Sequence, residues 1–482
     1  MNRTQKASVC LIAITICAET AFADRNETFD KMLKKYSQQQ IICLDINEEY
    51  SFKLRDGSER VIRLISVKEY RDSVVGKVRY AEIDVTISGK ALRLVCAPYK
   101  MPTEIDGMRI QADTTSEWLG IPKRVQFSIW DANDPIVNTD QFGFPIQDYL
   151  LFSHGTQVYN EVVHLGWKDG CPEGVKFYHD YGIDFAGYEG QEEVINCAEG
   201  KVIGLSSERE YIFVIIQGDD GLIWEYGHLD SILPSVKVGA PVRKGQAIGM
   251  LGRTGPSGNF SHLHVGSYLS KTDLDAGRNN RRLNLYPWLI TAYEKQYHRI
   301  LYAVARPTQM LSTGETALFD GSSSLGFGTK IVSYKWILPD GETVSGVTAK
   351  KRFDKPGVYI ATLWVKDEKG REDADFCKVN VFTESAPEDS IASIFMTYTP
   401  TNNVLVGQPV LFRFWLQGEE GEHIKIDFGD GTVIEHYASY TQIHHRFKSP
   451  GIHVVTAQST VDGKPITQKQ KVVVAEHRLR LD

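Results

Sequence analysis

The sequence of 482 residues is poor in cysteine, in basic charge and in long apolar runs. Its 54 Lys and Arg residues are outnumbered by 61 Asp and Glu, for a net charge of −7, so neither a nucleic acid nor an anionic membrane is expected as a partner. After the N-terminal segment no stretch is apolar over the ~20 residues that a membrane-spanning helix needs. The mature chain is therefore expected to have no transmembrane segment.

Cysteine is scarce, and five of the seven residues lie after the N-terminal segment. No C-x-x-C occurs, which argues against a thiolate zinc site or a dithiol redox motif. Two alternatives remain open. In an oxidising compartment, local pairing would join Cys43 to Cys96 and Cys171 to Cys197 and leave Cys377 free. Otherwise all five are small buried apolar residues.

The first 23 residues have the pattern of an export signal. Arg3 and Lys6 form a basic start, residues 9–17 are mostly apolar, and Ala21-Phe22-Ala23 is a small-x-small cleavage pattern. The apolar run is too short to cross a bilayer, which favours a cleaved signal over a membrane anchor. We expect an exported protein, periplasmic or extracellular, whose mature chain begins near Asp24.

The rest of the chain reads as several β-rich units. Its length exceeds one compact domain, since domains usually have roughly 100–200 residues. Short apolar runs separated by Gly and Asp turns indicate strands, and a helix opened by Pro287 is predicted near residues 286–293. The predicted fold class is mainly β and multidomain. The expected units are a signal peptide (1–23), a β-rich accessory domain (24–150), a domain with the chemistry described below (151–300) and two β-sandwiches (301–385 and 386–482).

Two C-terminal segments repeat one plan. Strand, Asp-Gly turn, strand and Phe-x-x-Pro-Gly turn recur at a spacing of roughly 90 residues, the size of a small β-sandwich. With Asp427-Phe428-Gly429-Asp430-Gly431-Thr432 in the second copy, residues 302–383 and 392–476 resemble PKD-type repeats. The resemblance implies spacers or binding modules. His444 and His445 are expected to be structural, because neighbouring strand residues point to opposite faces.

Four histidines and one aspartate form the constellation that suggests chemistry. His179 and Asp184 come first, His228 follows, and His262 and His264 end the set in glycine-rich surroundings. Imidazole and carboxylate suit zinc, and a catalytic zinc takes three protein ligands with one position left for water. Residues two apart on a strand share a face. His262 and His264 are therefore predicted to reach one cleft, where one binds metal and the other contacts substrate.

Residues from about 174 to 290 resemble the lysostaphin-type zinc metalloendopeptidases, which hydrolyse peptidoglycan. The likeness is almost continuous from His228 to Gly258, and His262-Leu263-His264 then falls where the family has its H-x-H. It implies an antiparallel β catalytic domain for residues 151–300 and a cofactor of one zinc ion. The stretches that carry it are His228-Leu229-Asp230, Val242-Arg243-Lys244-Gly245-Gln246 and Gly252-Arg253-Thr254-Gly255.

Carried over by position, the resemblance implies that His179, Asp184 and His264 bind zinc. It makes His228 and His262 the catalytic histidines that are not ligands, and which of them is the base stays open. The implied reaction is zinc-assisted hydrolysis of peptide bonds, in peptidoglycan cross-bridges or another extracellular peptide. The alternatives are a non-catalytic relative that binds cell wall or activates a hydrolase, and a secreted adhesion or scaffold protein.

Two departures from the family pattern produce further expectations. The family separates its first histidine and aspartate by four positions, but His179 and Asp184 are five apart. Odd spacing would turn them to opposite faces of one strand, so a bulge or turn is expected, and Gly182 could supply it. Asp180 is the alternative ligand, disfavoured because it is adjacent to His179. Gly266 stands where many relatives have a glutamate, so that partner of the site is expected to be missing.

Overall fold

The computed structural model describes residues 35–147, 157–159, 161–164, 177–179, 181–257, 260–298, 301–383, 392–417, 423–436 and 440–476. The predicted export signal, Cys171 and Asp180 lie outside the described residues. Strands dominate what is described, which confirms the prediction of a mainly β, multidomain chain. Within these ranges no helix has the length and apolarity needed to cross a bilayer.

The N-terminal part forms two four-stranded antiparallel sheets with the orders β1-β8-β7-β6 and β2-β3-β4-β5. Along β4, Ala81, Ile83, Val85 and Ile87 are buried while the residues between them face outward, the period-2 pattern of a half-buried strand. The short apolar runs at residues 61–65, 82–87 and 125–130, whose pattern between turns predicts strands, lie within strands. The elements are β1 (Gln40–Leu44), β2 (Glu49–Lys53), β3 (Glu59–Arg71), β4 (Val78–Ile87), β5 (Lys90–Cys96), β6 (Thr103–Ile105), β7 (Met108–Thr115), α1 (Ser116–Leu119) and β8 (Val125–Asp131).

The middle part is built on a six-stranded antiparallel sheet with the order β11-β19-β15-β14-β13-β17. A three-stranded sheet, β12-β18-β16, and the pair β9-β10 complete it. The elements are β9 (Val162–His164), β10 (Phe177–His179), β11 (Ile183–Ala186), β12 (Glu193–Ile195), β13 (Gly200–Ser206), β14 (Phe213–Gly218), β15 (Ile223–Gly227), β16 (Leu229–Ile232), β17 (Pro241–Val242), β18 (Ala247–Leu251), β19 (His262–Tyr268), α2 (Lys271–Asp275), a 3-10 helix (Asn279–Arg281) and α3 (Tyr286–Tyr297).

Helix α3 closes the middle part and confirms the predicted helix. Pro287 lies in its first turn, where the missing N–H has no intrahelical partner to lose. The helix buries Trp288 and Tyr293 in the same core as the six-stranded sheet. Tyr36 and the segment 136–146 also pack into this core. The domain limits stay a proposal, and this packing favours a limit before Ile136 over one at residue 150.

The C-terminal part is built on one ten-stranded sheet, in which β27 of the first predicted sandwich pairs with β36 of the second. The smaller sheets β22-β26 and β29-β31-β34 pack on its two halves, in agreement with the two predicted sandwiches. In the second, sheet β29-β31-β34 packs over β36-β35-β32-β33. The elements are β20 (Leu301–Tyr302), β21 (Gln309–Ser312), β22 (Thr316–Asp320), β23 (Leu325–Gly326), β24 (Ile331–Ile337), β25 (Thr343–Ser345), β26 (Thr348–Arg352), β27 (Gly357–Asp367), β28 (Glu372–Phe382), β29 (Ser393–Thr399), β30 (Val404–Leu405), β31 (Val410–Gln417), β32 (Ile424–Asp427), β33 (Val433–His436), β34 (Tyr440–His445), β35 (Gly451–Val461) and β36 (Lys464–Ala475).

His444 and His445 end strand β34, far along the chain from the other predicted site residues. His445 is half-buried, stacks on Phe428 with ring centroids 4.0 Å apart, and its Nε2 lies 2.7 Å from Oδ2 of Asp430. His444 is exposed. Contacts inside the second sandwich therefore account for His445, in agreement with the expectation that this pair is structural.

The cysteines do not form the bridge that local pairing suggested. Cys43 and Cys96 are free thiols, so that pairing is wrong: they lie in different sheets, on β1 and β5. Cys197 and Cys377 are also free. All four are buried, and burial raises the pKa of Cys43, Cys197 and Cys377 to about 12. These side chains behave as small apolar residues rather than as nucleophiles.

Candidate functional site

Strands β11 and β19 bring a carboxylate and two imidazoles together. They pair antiparallel, with Asp184 opposite His264 and Ala186 opposite His262. Nδ1 of His264 donates to Oδ1 of Asp184 at 2.7 Å, and Nε2 of His262 lies 3.6 Å from Oδ2 of the same carboxylate. Asp184 is 3% exposed. The prediction that His262 and His264 share one face is confirmed, and Asp184 lies between their imidazoles.

His228 completes the group from the neighbouring strand. It follows β15 directly, with a backbone φ of 60°, in the left-handed region that few residues other than glycine adopt. Its ring centroid is 4.5 Å from that of His262 and 6.2 Å from that of His264. Four of the five side chains that the sequence singled out therefore meet at one buried place.

Backbone carbonyls fix the proton on both predicted catalytic histidines. Nδ1 of His228 lies 2.7 Å from the carbonyl oxygen of Thr254, and Nδ1 of His262 lies 2.9 Å from that of Phe260. A carbonyl only accepts, so Nδ1 carries the proton in each ring. In the neutral form each Nε2 is then a free base.

The electrostatics of the group favour a charged Asp184 and neutral catalytic histidines. Burial alone would raise the pKa of Asp184, but His262, His264 and His228 together hold it well below its usual range. Burial, reinforced by the charges of His262 and His264, lowers the pKa of His228 to about 3. Burial also lowers the pKa of His262, against the opposing effect of Asp184. Asp184 is therefore an ionised carboxylate buried among imidazoles, a place where a bound cation would be favourable.

His179 and Asp184 lie on different strands, and the described residues Tyr181 and Gly182 between them form a bend, in agreement with the expected bulge or turn. His179 ends β10, which pairs with β9, whereas Asp184 lies on β11 in the six-stranded sheet. Gly182 lies in a bend between them, where an added Cβ would be 2.4 Å from the carbonyl oxygen of Val265. Only glycine fits so close an approach. The side chain of His179 lies outside the described structure, so its role stays a prediction.

Arg282, which was not among the predicted site residues, lies beside His264. Nη1 of Arg282 donates to Oε2 of Glu225 at 3.0 Å, and its guanidinium carbon lies 3.8 Å from the ring centroid of Tyr268. Gly266 pairs with Glu225, and a Cβ added at Gly266 would be 2.2 Å from that Nη1. The space beside Gly266 is thus filled by the Arg282 side chain, which is paired with Glu225 on the neighbouring strand. No sequence motif marks Arg282.

The donor set suits a metal ion, although the structure describes only part of it. Among the side chains that the structure describes, no three His, Cys, Asp or Glu residues form a group that could hold a metal. Oδ1 of Asp184 and Nδ1 of His264 face each other, and carboxylate oxygen and imidazole nitrogen are donor types that zinc takes once the proton on Nδ1 is released. Nε2 of His264 lies instead close to Gly182, and a Cβ added to that glycine would be 2.9 Å from it. The pair therefore fits two of the three positions of a catalytic zinc site.

Comparison with known families assigns the region that carries this group. Residues 178–276 match the model of peptidase family M23, over the strands that hold Asp184, His228, His262 and His264. The chain contains a peptidase family M23 domain. Residues 302–381 match the PKD domain and form the first sandwich. The resemblance of residues 392–476 to a PKD repeat stays a prediction.

Solved structures of similar proteins cover parts of the chain. The catalytic domain of the prophage-encoded M23 protein EnpA from Enterococcus faecalis, in a mutant form, is 24% identical over 28% of this chain and 94% of its own, with a TM-score of 0.20. A zinc-containing peptidase of Vibrio cholerae is 16% identical over 46% of this chain and 84% of its own (TM-score 0.22). A LytM protein of Ruminococcus gnavus, assigned as a glycyl-glycine endopeptidase, is 21% identical over 33% of this chain (TM-score 0.22). The match spans only 62% of that LytM chain, less than two thirds of its length.

Proposed function

We propose that this protein is an exported zinc metalloendopeptidase that hydrolyses peptide bonds of peptidoglycan. The observation that carries the proposal is the meeting of Asp184, His228, His262 and His264 at one buried place inside the M23 domain. Export is supported by the pattern of the first 23 residues. Peptidoglycan as the substrate follows from the family resemblance.

In this proposal His179, Asp184 and His264 hold one zinc ion. When bound, zinc polarises the scissile carbonyl and lowers the pKa of a water toward ~7. Asp184 contributes a carboxylate that stays ionised, and His264 contributes the nitrogen that faces it. Strand pairing between β11 and β19 holds both side chains, so the site is built on rigid elements.

His228 and His262 move protons at Nε2. Because both rings are neutral and both Nδ1 atoms are bound to carbonyls, each Nε2 can accept a proton. One takes the proton of the attacking water at Nε2 and then gives that proton to the leaving nitrogen. The other, in the form protonated at Nε2 by solvent water, donates a hydrogen bond to the developing oxyanion. Either residue can take either role. The 4.5 Å between their ring centroids places both within reach of one substrate bond.

The test is incubation of the purified mature chain with defined muropeptides, with fragments identified by mass and zinc measured on the same sample. We expect about one zinc per chain and new amino termini at a single type of peptide bond. Zinc without cleavage would favour the non-catalytic relative that binds cell wall or activates a hydrolase. A chain with neither zinc nor cleavage would favour the adhesion or scaffold protein.

A further inference from the structure

The second sandwich lies against the rim of the M23 site. Its sheet β29-β31-β34 contacts the segment after β11 through Tyr188 and Glu189, and the segment before β19 through Phe260. Nε2 of Gln442 on β34 donates to the hydroxyl of Tyr188 at 3.2 Å. These peptidase segments directly precede or follow the strands that hold Asp184 and His262.

Arg413 on β31 anchors this contact. Its Nη1 donates to Oε1 of Glu189 at 2.5 Å, and Arg253 approaches the other oxygen of that carboxylate at 2.6 Å. The Arg413 guanidinium carbon lies 4.7 Å from the ring centroid of Tyr188. The Arg413 side chain is 4% exposed, yet its Nε and Nη2 have no hydrogen-bond partner among the described residues. Burying a guanidinium with these nitrogens unpaired costs free energy. A sandwich that served only as a spacer would not require such a contact.

A row of aromatic rings runs from the catalytic group onto the second sandwich. Phe260 stacks on His262 with ring centroids 5.4 Å apart and an angle of 19° between planes. Phe395 on β29 lies 5.9 Å from Phe260 and stacks on Trp415, its partner on β31, at 4.8 Å. Phe260, Phe395 and Trp415 are each only partly buried. Each ring therefore presents some apolar surface to solvent, and of the three Phe260 is the one that contacts His262.

We propose that the second sandwich forms one wall of the substrate cleft, and that Phe395 with Phe260 forms an apolar subsite beside His262. This inference rests on the proposed function and adds a determinant of specificity. The subsite takes the side chain of a substrate residue next to the scissile bond and favours an apolar one, such as alanine. It disfavours an acidic one, because an ionised carboxylate would lose water against two aromatic rings without gaining a partner. Arg413 holds the wall in place.

The experiment uses the full mature chain and paired peptide substrates that differ by alanine or glutamate at a residue flanking the scissile bond. The ratio of kcat/KM for the two peptides is measured for the wild type, Phe395→Ala and Phe395→Lys. Val433→Ala is the control, an exposed apolar residue in the other sheet of the same sandwich. Zinc content and peptide affinity, by calorimetry, are measured for each protein.

We expect Phe395→Ala to lower the preference for alanine by about 10-fold, with zinc content unchanged, and Phe395→Lys to shift it further toward glutamate. Val433→Ala should leave the ratio as in the wild type. If the ratio of kcat/KM for the two peptides is unchanged in both Phe395 variants, the proposal that the second sandwich forms a wall of the cleft is overturned. If the wild type binds the peptides selectively without cleaving them, and Phe395→Ala loses that selectivity, the wall stands and the proposed catalysis fails. A wild type that neither binds nor cleaves would overturn both.

Discussion

Arg282 and Glu225 form a partly buried ion pair beside Gly266, with Nη1 and Oε2 3.0 Å apart. The Arg282 side chain is clamped on two sides, by this carboxylate and by the ring of Tyr268. A side chain on Gly266 would collide with the guanidinium at 2.2 Å. The space that a side chain at Gly266 would occupy is therefore taken by an arginine whose charge is paired with a carboxylate on the neighbouring strand.

Gly266→Ala is expected to lower the free energy of unfolding by about 1–3 kcal/mol, because the new methyl group must push the buried guanidinium away from Glu225. Urea unfolding of wild type and variant measures the loss. Gly204→Ala on β13 is the matched control, since its added Cβ meets no atom closer than 3.8 Å. Equal stability of the two variants would show that Arg282 moves freely.

Alanine at His228 or His262 is expected to abolish hydrolysis while about one zinc per chain remains. Neither residue is a predicted ligand, and both bind backbone carbonyls through Nδ1. Removing a positioned acid or base typically costs 10²–10⁴-fold in rate. Metal analysis and a peptide-cleavage assay on the same preparations give the two readouts. Loss of zinc from His228→Ala would overturn this division of roles.

The raised pKa of Asp113, a residue far from the site, predicts how the stability of the chain depends on pH. It is buried on β7, accepts from Oγ of Ser128 at 2.6 Å, and burial raises its pKa from 3.8 to about 7. Between these two values the folded chain holds a proton that the unfolded chain has released, so stability falls as pH rises. At pH 7 the free energy of unfolding is lower by roughly 4 kcal/mol than at pH values below both pKa values.

Asp113→Asn removes this titration and is the sharpest comparison. We expect the variant to gain stability relative to the wild type as the pH is raised from about 4 to about 7. Denaturant unfolding at several pH values measures the difference. Parallel stability curves for the two proteins would mean that Asp113 is ionised in the folded chain.

The sequence predicts those features that follow from local periodicity. Strand β4 was predictable because every second residue is apolar, and α3 because Pro287 opens it. The shared face of His262 and His264 follows from the same period of two. Arg282 and Phe395 were not predictable. They reach the site from segments without a motif, through packing between elements distant in the chain.

The hydrogen-bond partners of the catalytic rings also escape the sequence. His228 and His262 are oriented by the carbonyl oxygens of Thr254 and Phe260, and every residue type carries a backbone carbonyl. Side-chain identity therefore contains no signal for these contacts. The left-handed backbone at His228 is equally hidden in the sequence. The usual sequence signal for this conformation is a glycine, and this residue is a histidine.

The choice of metal-binding carboxylate is the most decisive prediction. Asp184 is paired with His264 across β11 and β19, with its oxygen 2.7 Å from Nδ1 of that ring, whereas Asp180 lies outside the described residues. We expect Asp184→Ala to lose zinc and activity, because two facing donors become one. Asp180→Ala should keep both within a few-fold.

Metal analysis and peptide cleavage on both aspartate variants measure this, and circular dichroism shows whether each remains folded. Asp184→Asn is the isosteric control: it keeps the shape but provides a neutral oxygen, a poorer zinc ligand than carboxylate. It should therefore also lose most of its zinc while its unfolding remains cooperative. Zinc retained by Asp184→Ala and lost by Asp180→Ala would reverse the assignment. The extra residue between His179 and Asp184 would then lie after the ligand instead of before it.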